Sequence, residues 1–222
     1  FAEICEQAGL PPGVVNIVTG DGSTGSLIVN HKDINKIAFT GSTQVGKLIQ
    51  KSLAGRDVGL TLELGGKAAN IVYEDAAIDQ AVEGVVNGIF FNQGHVCCAG
   101  SRLLLQESIH DEFVKKLEKR MQSLRVGNPL DKNTDIGAIN SKEQLDKITG
   151  LVNEGVEDGG ELFQTECELP GNGFWFRPTL FTNVQPSYSI AREEIFGPVL
   201  TTLTFRTPEE AVEIANNTEY GL

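Results

Sequence analysis

Short apolar runs of strand type alternate with runs of helical period, and glycine or proline stands at most of the junctions. Lys36-Ile37-Ala38-Phe39 is followed by Gly41-Ser42-Thr43 and a helix-type run to about Leu53. Leu60-Thr61-Leu62-Glu63-Leu64 is broken by Gly65-Gly66, and Asn70-Ile71-Val72-Tyr73 leads into the run Ile78 to Phe91. In that run Ile78, Ala81, Val82, Val85, Val86 and Ile89 recur at helical spacing. The same alternation places a strand at Ser101 to Gln106 and a helix at Ile109 to Leu124, with Phe113, Leu117 and Met121 on one face. Strands that take turns with helices across short loops predict an α/β fold with mainly parallel sheets in three layers.

The remaining segments are read in the same way. Val14-Val15-Asn16-Ile17-Val18 is β-branched and predicts a strand, and Thr24 to Asn30 predicts a helix. Lys115, Lys116, Lys119 and Arg120 form the solvated face of the 109–124 helix. Ser141 is placed to cap a helix running to about Glu157. Residues 158–173 are rich in turn formers, and Phe174 to Phe181 predicts a strand that Pro178 would push to an edge or a bulge. A short helix at Ile190 to Ile195, a strand at Val199 to Phe205 and a helix capped by Thr207 complete the chain. Gly65-Gly66 is the expected hinge, separating residues 1–65 from residues 66–222.

Composition narrows the function. Forty per cent hydrophobic residues over 222 positions supports a packed core, and a net charge of −12 repels phosphate backbones, so nucleic acid is not an expected partner. No run reaches the roughly 20 apolar residues of a membrane span, and the N-terminus does not resemble a signal peptide. The cysteines at 5, 97, 98 and 167 form no CxxC pair and no disulfide framework, and the three histidines are scattered. A reduced, cytoplasmic protein without a metal site is expected.

Four motifs remain. Gly20-Asp21-Gly22-Ser23-Thr24-Gly25 spells the dinucleotide pattern, but the following strand ends in Phe39-Thr40, without the acid that holds a ribose. It reads as a glycine-rich turn. Phe39-Thr40-Gly41-Ser42-Thr43-Gln44-Val45-Gly46 runs from a strand into a helix N-terminus, where free N–H groups suit a phosphate and Ser42 adds a donor; plain helix capping is the alternative. Glu63 sits among apolar residues, where burial would raise its pKa towards that of a general base, unless it faces solvent or pairs with Lys67. Cys97 lies at a helix-to-strand junction and is a nucleophile or an inert small side chain according to whether its thiolate is favoured over the ordinary pKa of about 8.5.

Taken in order, these stretches resemble the aldehyde dehydrogenase superfamily. The resemblance rests on Phe39 to Gly46, on Leu62-Glu63-Leu64-Gly65-Gly66-Lys67, on Asn92-Gln93-Gly94-His95-Val96-Cys97 and on Glu193-Glu194-Ile195-Phe196-Gly197-Pro198-Val199. It implies the end of a Rossmann-like cofactor domain in residues 1–65 and most of a catalytic domain in residues 66–222. It implies Cys97 as the nucleophile that forms a thiohemiacetal with an aldehyde, and Glu63 as the base that brings water to the thioester. Gly41, Ser42, Gly46 and Leu64 would contact an NAD or NADP cofactor on its phosphate side. Glu194 and Phe196 would hold the nicotinamide ribose and ring, with Gln144 as a further ribose contact. The Cys97 N–H would contribute to an oxyanion hole. Cys98 would be structural, since neighbours on an extended backbone point to opposite sides. His95 departs from the pattern, which has Gln or Glu at that position.

Members of the superfamily are longer, so the resemblance implies a piece of a longer chain, whose parent is a homo-oligomer acting on a small aldehyde. The alternatives are an acylating enzyme that passes the acyl group to coenzyme A, and a non-catalytic module that has kept the fold.

Overall fold

A computed structural model describes all of residues Phe1–Leu222. Their contacts divide the chain into two units, Phe1–Leu64 and Gly65–Leu222. The chain is α/β and its sheets are mainly parallel. No helix is long and apolar enough to cross a membrane.

The first unit contains α1 (Ala2–Gln7), α2 (Gly22–Asn30), β1 (Lys36–Thr40), α3 (Thr43–Leu53) and β2 (Gly59–Glu63). Strands β1 and β2 run parallel, from the pair Lys36 and Gly59 to the pair Thr40 and Glu63, with α3 as the crossover that a parallel pair needs. Ile37, Ile49 and Leu53 form its small core, with Phe39, Val58 and Leu60 packed against them. The Arg56 guanidinium donates to the carbonyls of Val29 and His31, at 2.8 Å each, and ties α2 to the end of α3. The expected strand at Val14 to Val18 does not form. These residues are exposed and pair with no other strand, and a β-branched run becomes a strand only where a neighbour can satisfy its backbone.

The second unit is a five-stranded sheet in the order β3 (Ala69–Val72), β4 (Arg102–Gln106), β7 (Val199–Phe205), β6 (Thr179–Thr182), β5 (Glu161–Gln164). All neighbours are parallel except β5, which runs antiparallel to β6. The helices are α4 (Ile78–Phe90), α5 (His110–Met121), α6 (Lys142–Glu157), the single turn α7 (Ser189–Arg192) and α8 (Pro208–Asn216). Leu103 and Leu105 of β4 belong to the core formed with Val82, Val86 and Ile89 of α4 and with Phe113, Leu117 and Met121 of α5. Leu104 belongs instead to the opposite core, with Leu203, Phe205 and Ala211 of α8. Both faces of the strand are covered, which is why it reads as an unbroken apolar run. A third cluster sets Ile148 and Val152 of α6 against Phe181, Ile190 and Ile195.

Three boundaries differ from the sequence reading. The strand expected over Phe174 to Phe181 is confined to Thr179–Thr182, and it lies inside the sheet between β7 and β5. Pro178 is compatible with that place because it precedes the strand and uses only its carbonyl, which accepts from the Thr165 N–H at 3.2 Å. Glu161–Gln164, read as turn, is the edge strand β5. Helix α7 ends at Arg192, which leaves Glu193 to Pro198 as an irregular strap.

Candidate functional site

The route from α4 to the cysteines reverses the handedness of the chain. After Phe90 the backbone passes through Asn92 (φ 50°), Gln93 (φ 47°) and Gly94 (φ 75°), three left-handed residues in succession. An L residue there costs about 1–2 kcal/mol, less for asparagine, whose side chain can bond locally. Asn92 does so: its amide donates to the His95 carbonyl at 3.1 Å, and its own carbonyl accepts from the His95 N–H at 2.9 Å. Gly94 has no substitute, because the Gly197 carbonyl occupies the space of its missing Cβ.

The chain then folds into a β-turn in which the Ala99 N–H donates to the Val96 carbonyl at 3.0 Å. Cys97 and Cys98 hold the two central positions, and both are exposed. The argument that set Cys98 apart from Cys97 therefore loses its premise. The argument assumed an extended backbone with alternating side chains, and a turn presents its two central residues together. The turn rests on Gly66, where a Cβ would collide with the Cys97 carbonyl and would approach the Leu222 carbonyl at 2.9 Å. Just beyond it, the Asn70 amide fills the side-chain space of Gly100 and donates to the Gly100 carbonyl at 3.4 Å.

Glu194 closes on the same glycines. Its Oε1 accepts from the Gly66 N–H at 3.0 Å, and its carboxylate fills the Cβ space of Gly65. One accepted bond leaves most of the lone-pair capacity of a carboxylate open for hydroxyl donors. The Glu194 N–H donates to the Tyr220 hydroxyl at 3.2 Å. Phe196, half-buried, adopts φ 55° and stacks on His95 with ring centroids 5.1 Å apart and planes 9° apart. Gln144 Nε2 donates to the carbonyls of Ile195 and Phe196, at 2.8 and 3.0 Å. Expected as a ribose contact, Gln144 spends its amide donor on the strap that carries Phe196.

Two buried cations lie behind the turn. Arg102 donates through Nε to the Lys67 carbonyl at 2.7 Å, and through its two Nη atoms to the carbonyls of Ile214 and Ala215 at 3.0 and 2.8 Å. It thereby fastens the Gly65–Lys67 loop to the start of β4 and the end of α8. Lys67 is fully buried, and its Nζ has no hydrogen-bond partner. Burial first, and then the charge of Arg102, lower its pKa from 10.5 to about 7, against the pull of Glu194 and Glu193. Sequence reasoning considered Lys67 only as a partner for Glu63 and gave Arg102 no role, although an arginine that opens an otherwise apolar strand was a visible signal.

In the first unit the candidate residues gather at the carboxyl ends of β1 and β2, where parallel α/β sheets bind their ligands. The Gly41 N–H donates to the Glu63 carbonyl at 3.0 Å. Ser42 caps α3, its Oγ accepting from the Val45 N–H at 3.3 Å. The remaining N–H groups of the first turn have no intrahelical partner. Gly46 is buried because the Leu64 side chain lies where its Cβ would be. An exposed helix N-terminus above a glycine suits a phosphate group. Glu63 itself is exposed at the end of β2, so the burial that its apolar flanks suggested is absent.

In the second unit a cleft of about 780 Å³ is lined by Val184, Leu203, Glu213 and Ile214, and Cys97 is not among its walls. Beside the turn, Gly66, Val96, Glu194 and Gly197 line a space of about 10 Å³, the size of one water. The thiols thus stand on an open surface with strongly braced backbone beneath them.

The family model for the aldehyde dehydrogenase family matches residues 1–222. The chain is 47% identical to a human mitochondrial aldehyde dehydrogenase, covering 100% of itself and 43% of that protein. It is 49% identical to retinal dehydrogenase 2 of Rattus norvegicus, again over 43% of the relative's length. Among solved structures, an NAD-dependent aldehyde dehydrogenase from Sinorhizobium meliloti superimposes with a TM-score of 0.95 at 42% identity, over 100% of this chain and 44% of the other. The chain spans less than half the length of each of these proteins.

Proposed function

Because the chain belongs to the aldehyde dehydrogenase family, we propose that it carries the nucleophile and the base of an NAD(P)+-dependent oxidation of an aldehyde to a carboxylic acid. Residues 1–65 are the end of the cofactor domain and residues 66–222 the larger part of the catalytic domain. The observation that carries this reading is the Cys97 turn: an exposed thiol held at the tip of a turn by strained and glycine-packed backbone. Strain of that kind persists where the surroundings over-determine it, and it gathers at functional sites.

In the proposed reaction the Cys97 thiolate adds to the aldehyde carbon, and the carbonyl π electrons move to oxygen. The Cys97 N–H donates to the oxyanion that develops. When bound, NAD(P)+ supplies the two-electron acceptor that takes the thiohemiacetal to a thioester. Glu63 then accepts a proton from water as the water oxygen attacks the thioester, and collapse releases the acid and the Cys97 thiolate. A carboxylate at position 63 able to act as a general base supports water, rather than coenzyme A, as the acyl acceptor.

The residues fit the cofactor by their own chemistry. The α3 N-terminus at Gly41, Ser42 and Gly46, with Leu64 beneath it, would hold the phosphate side. Glu194 has acceptor capacity left for ribose hydroxyls, and Phe196, half-buried and stacked on His95, would pack beside the nicotinamide. Gln144 acts through the carbonyls of Ile195 and Phe196.

In the full-length enzyme that contains this chain, Cys97→Ser should abolish NADH formation from aldehyde. Glu63→Gln should keep the first-turnover burst and slow the steady state by about 10²-fold or more. Near-parental turnover of Cys97→Ser would overturn the assignment, and a steady-state rate that follows added coenzyme A would replace water as the acceptor.

A further inference from the structure

The left-handed backbone of Phe196 has to be held in place, and one of the groups that hold it is His95. The backbone of His95 is itself fixed by Asn92 through two hydrogen bonds. Its ring lies flat on the Phe196 ring, at 5.1 Å and 9°. Its Nε2 accepts from the Asn140 N–H at 3.3 Å, in the loop that precedes α6. One imidazole thus touches the strap and the 136–141 loop, and it stands two residues before Cys97, just ahead of the cysteine turn. Gln144 and Gly94 complete the hold from the other sides.

We propose that His95 is a positioning residue, which keeps Phe196 in its left-handed kink by stacking, ties that kink to the Cys97 turn that follows it in the chain, and has its own ring fixed by the bond from Asn140. The consequence for cofactor binding rests on the function proposed above. An Nε2 that accepts leaves the proton of a neutral ring on Nδ1, which is buried without a partner. A protonated ring would turn a donor towards the Asn140 N–H and bury a charge. Burial accordingly moves the His95 pKa below its ordinary 6.5, with the Phe196 backbone and the Asn140 side chain acting in the opposite direction and no charged side chain contributing.

The test separates stacking, acceptance and function. In the 222-residue chain, the ¹³Cα and ¹³Cβ shifts of Phe196 report its φ directly. His95→Ala should move them towards extended values, while His95→Phe, which keeps the flat ring, should hold them near the parent. In the full-length enzyme, His95→Ala should raise KM for NAD+ about tenfold, equivalent to about 1.4 kcal/mol, with a smaller change in kcat. His95→Gln, which restores an acceptor for Asn140, should recover part of that loss. Phe196 shifts that are indifferent to His95→Ala in a folded variant overturn the role. If those shifts follow His95 while the parent oxidises no aldehyde, the positioning role stands and the proposed function falls.

Discussion

The carbonyl oxygen of Cys97 occupies the space that a Cβ on Gly66 would require. The atom in the way belongs to backbone, as does the Leu222 carbonyl beside it, so neither can swing aside as a side-chain tip would. Gly66→Ala should therefore shift the cysteine turn and destabilise the chain by about 1–3 kcal/mol. Urea denaturation measures the loss, and a change in the alkylation rate of Cys97 reports the shift. A variant with parental stability and thiol reactivity would show that the turn adapts.

Lys67 makes a prediction about pH. Its folded-state pKa of about 7 lies below the ordinary 10.5, so between those values the unfolded chain binds the additional proton. Stability should rise as the pH climbs from about 7 towards 10.5, and the contribution is lost as the pH falls back through that window. Lys67→Met, of similar shape and without charge, should flatten the rise and stabilise the chain at pH 7 and below by about 1–3 kcal/mol. Parallel stability profiles for parent and variant from pH 6 to 10 would contradict the burial of a strained ammonium.

Arg102 holds three carbonyls with one planar group. Arg102→Lys retains the charge but cannot reach three acceptors in fork geometry. Both Arg102→Lys and Arg102→Ala should cost about 2–4 kcal/mol, since each takes charged donors from the buried Lys67 carbonyl and from the half-buried end of α8. Hydrogen exchange should quicken first at the end of α8. Full rescue by lysine would mean that charge, rather than geometry, is what matters there.

Gln144 offers a sharper comparison. Gln144→Ala removes two donated bonds and should cost about 1–2 kcal/mol. Gln144→Glu should be worse at neutral pH, because a carboxylate would face the carbonyls of Ile195 and Phe196 with nothing to donate. Acidification should restore part of the loss as that carboxylate takes a proton. Equal stability of the two variants at pH 7 would deny Gln144 its hold on the strap.

Some of this architecture is legible from residues alone. Arg102–Gln106 and Val199–Phe205 are buried on both faces, so they read as apolar runs, and Ile78–Phe90 announces its buried stripe by spacing. The elements that escape are those whose state is decided by a distant partner. Glu161–Gln164 is a strand only because β6 lies beside it, while Val14 to Val18 has every local mark of a strand and no neighbour. The same division holds at the site. Cys97 stands at a junction that its flanking glycines betray. The exposure of Cys98 follows from a turn that only the hydrogen bond from Ala99 to Val96 defines. The flanks of Glu63 suggested burial that the end of β2 does not provide, and the partners of Arg102 in α8 lie over a hundred positions further along.

The left-handed passage through Asn92, Gln93 and Gly94 has a practical corollary. What keeps that passage and the cysteine turn after it in shape comes from Gly197, which packs on Gly94, and from Gly66 and Asn70, which pack on Cys97 and Gly100; none of the three is near in the chain. A synthetic peptide copying residues 90–101 would relax into ordinary right-handed or extended conformers. Antibodies raised on such a peptide, or thiol-directed compounds screened against it, would be selected for a shape that the protein does not present. Reagents meant to recognise this cysteine pair should be chosen on the folded chain.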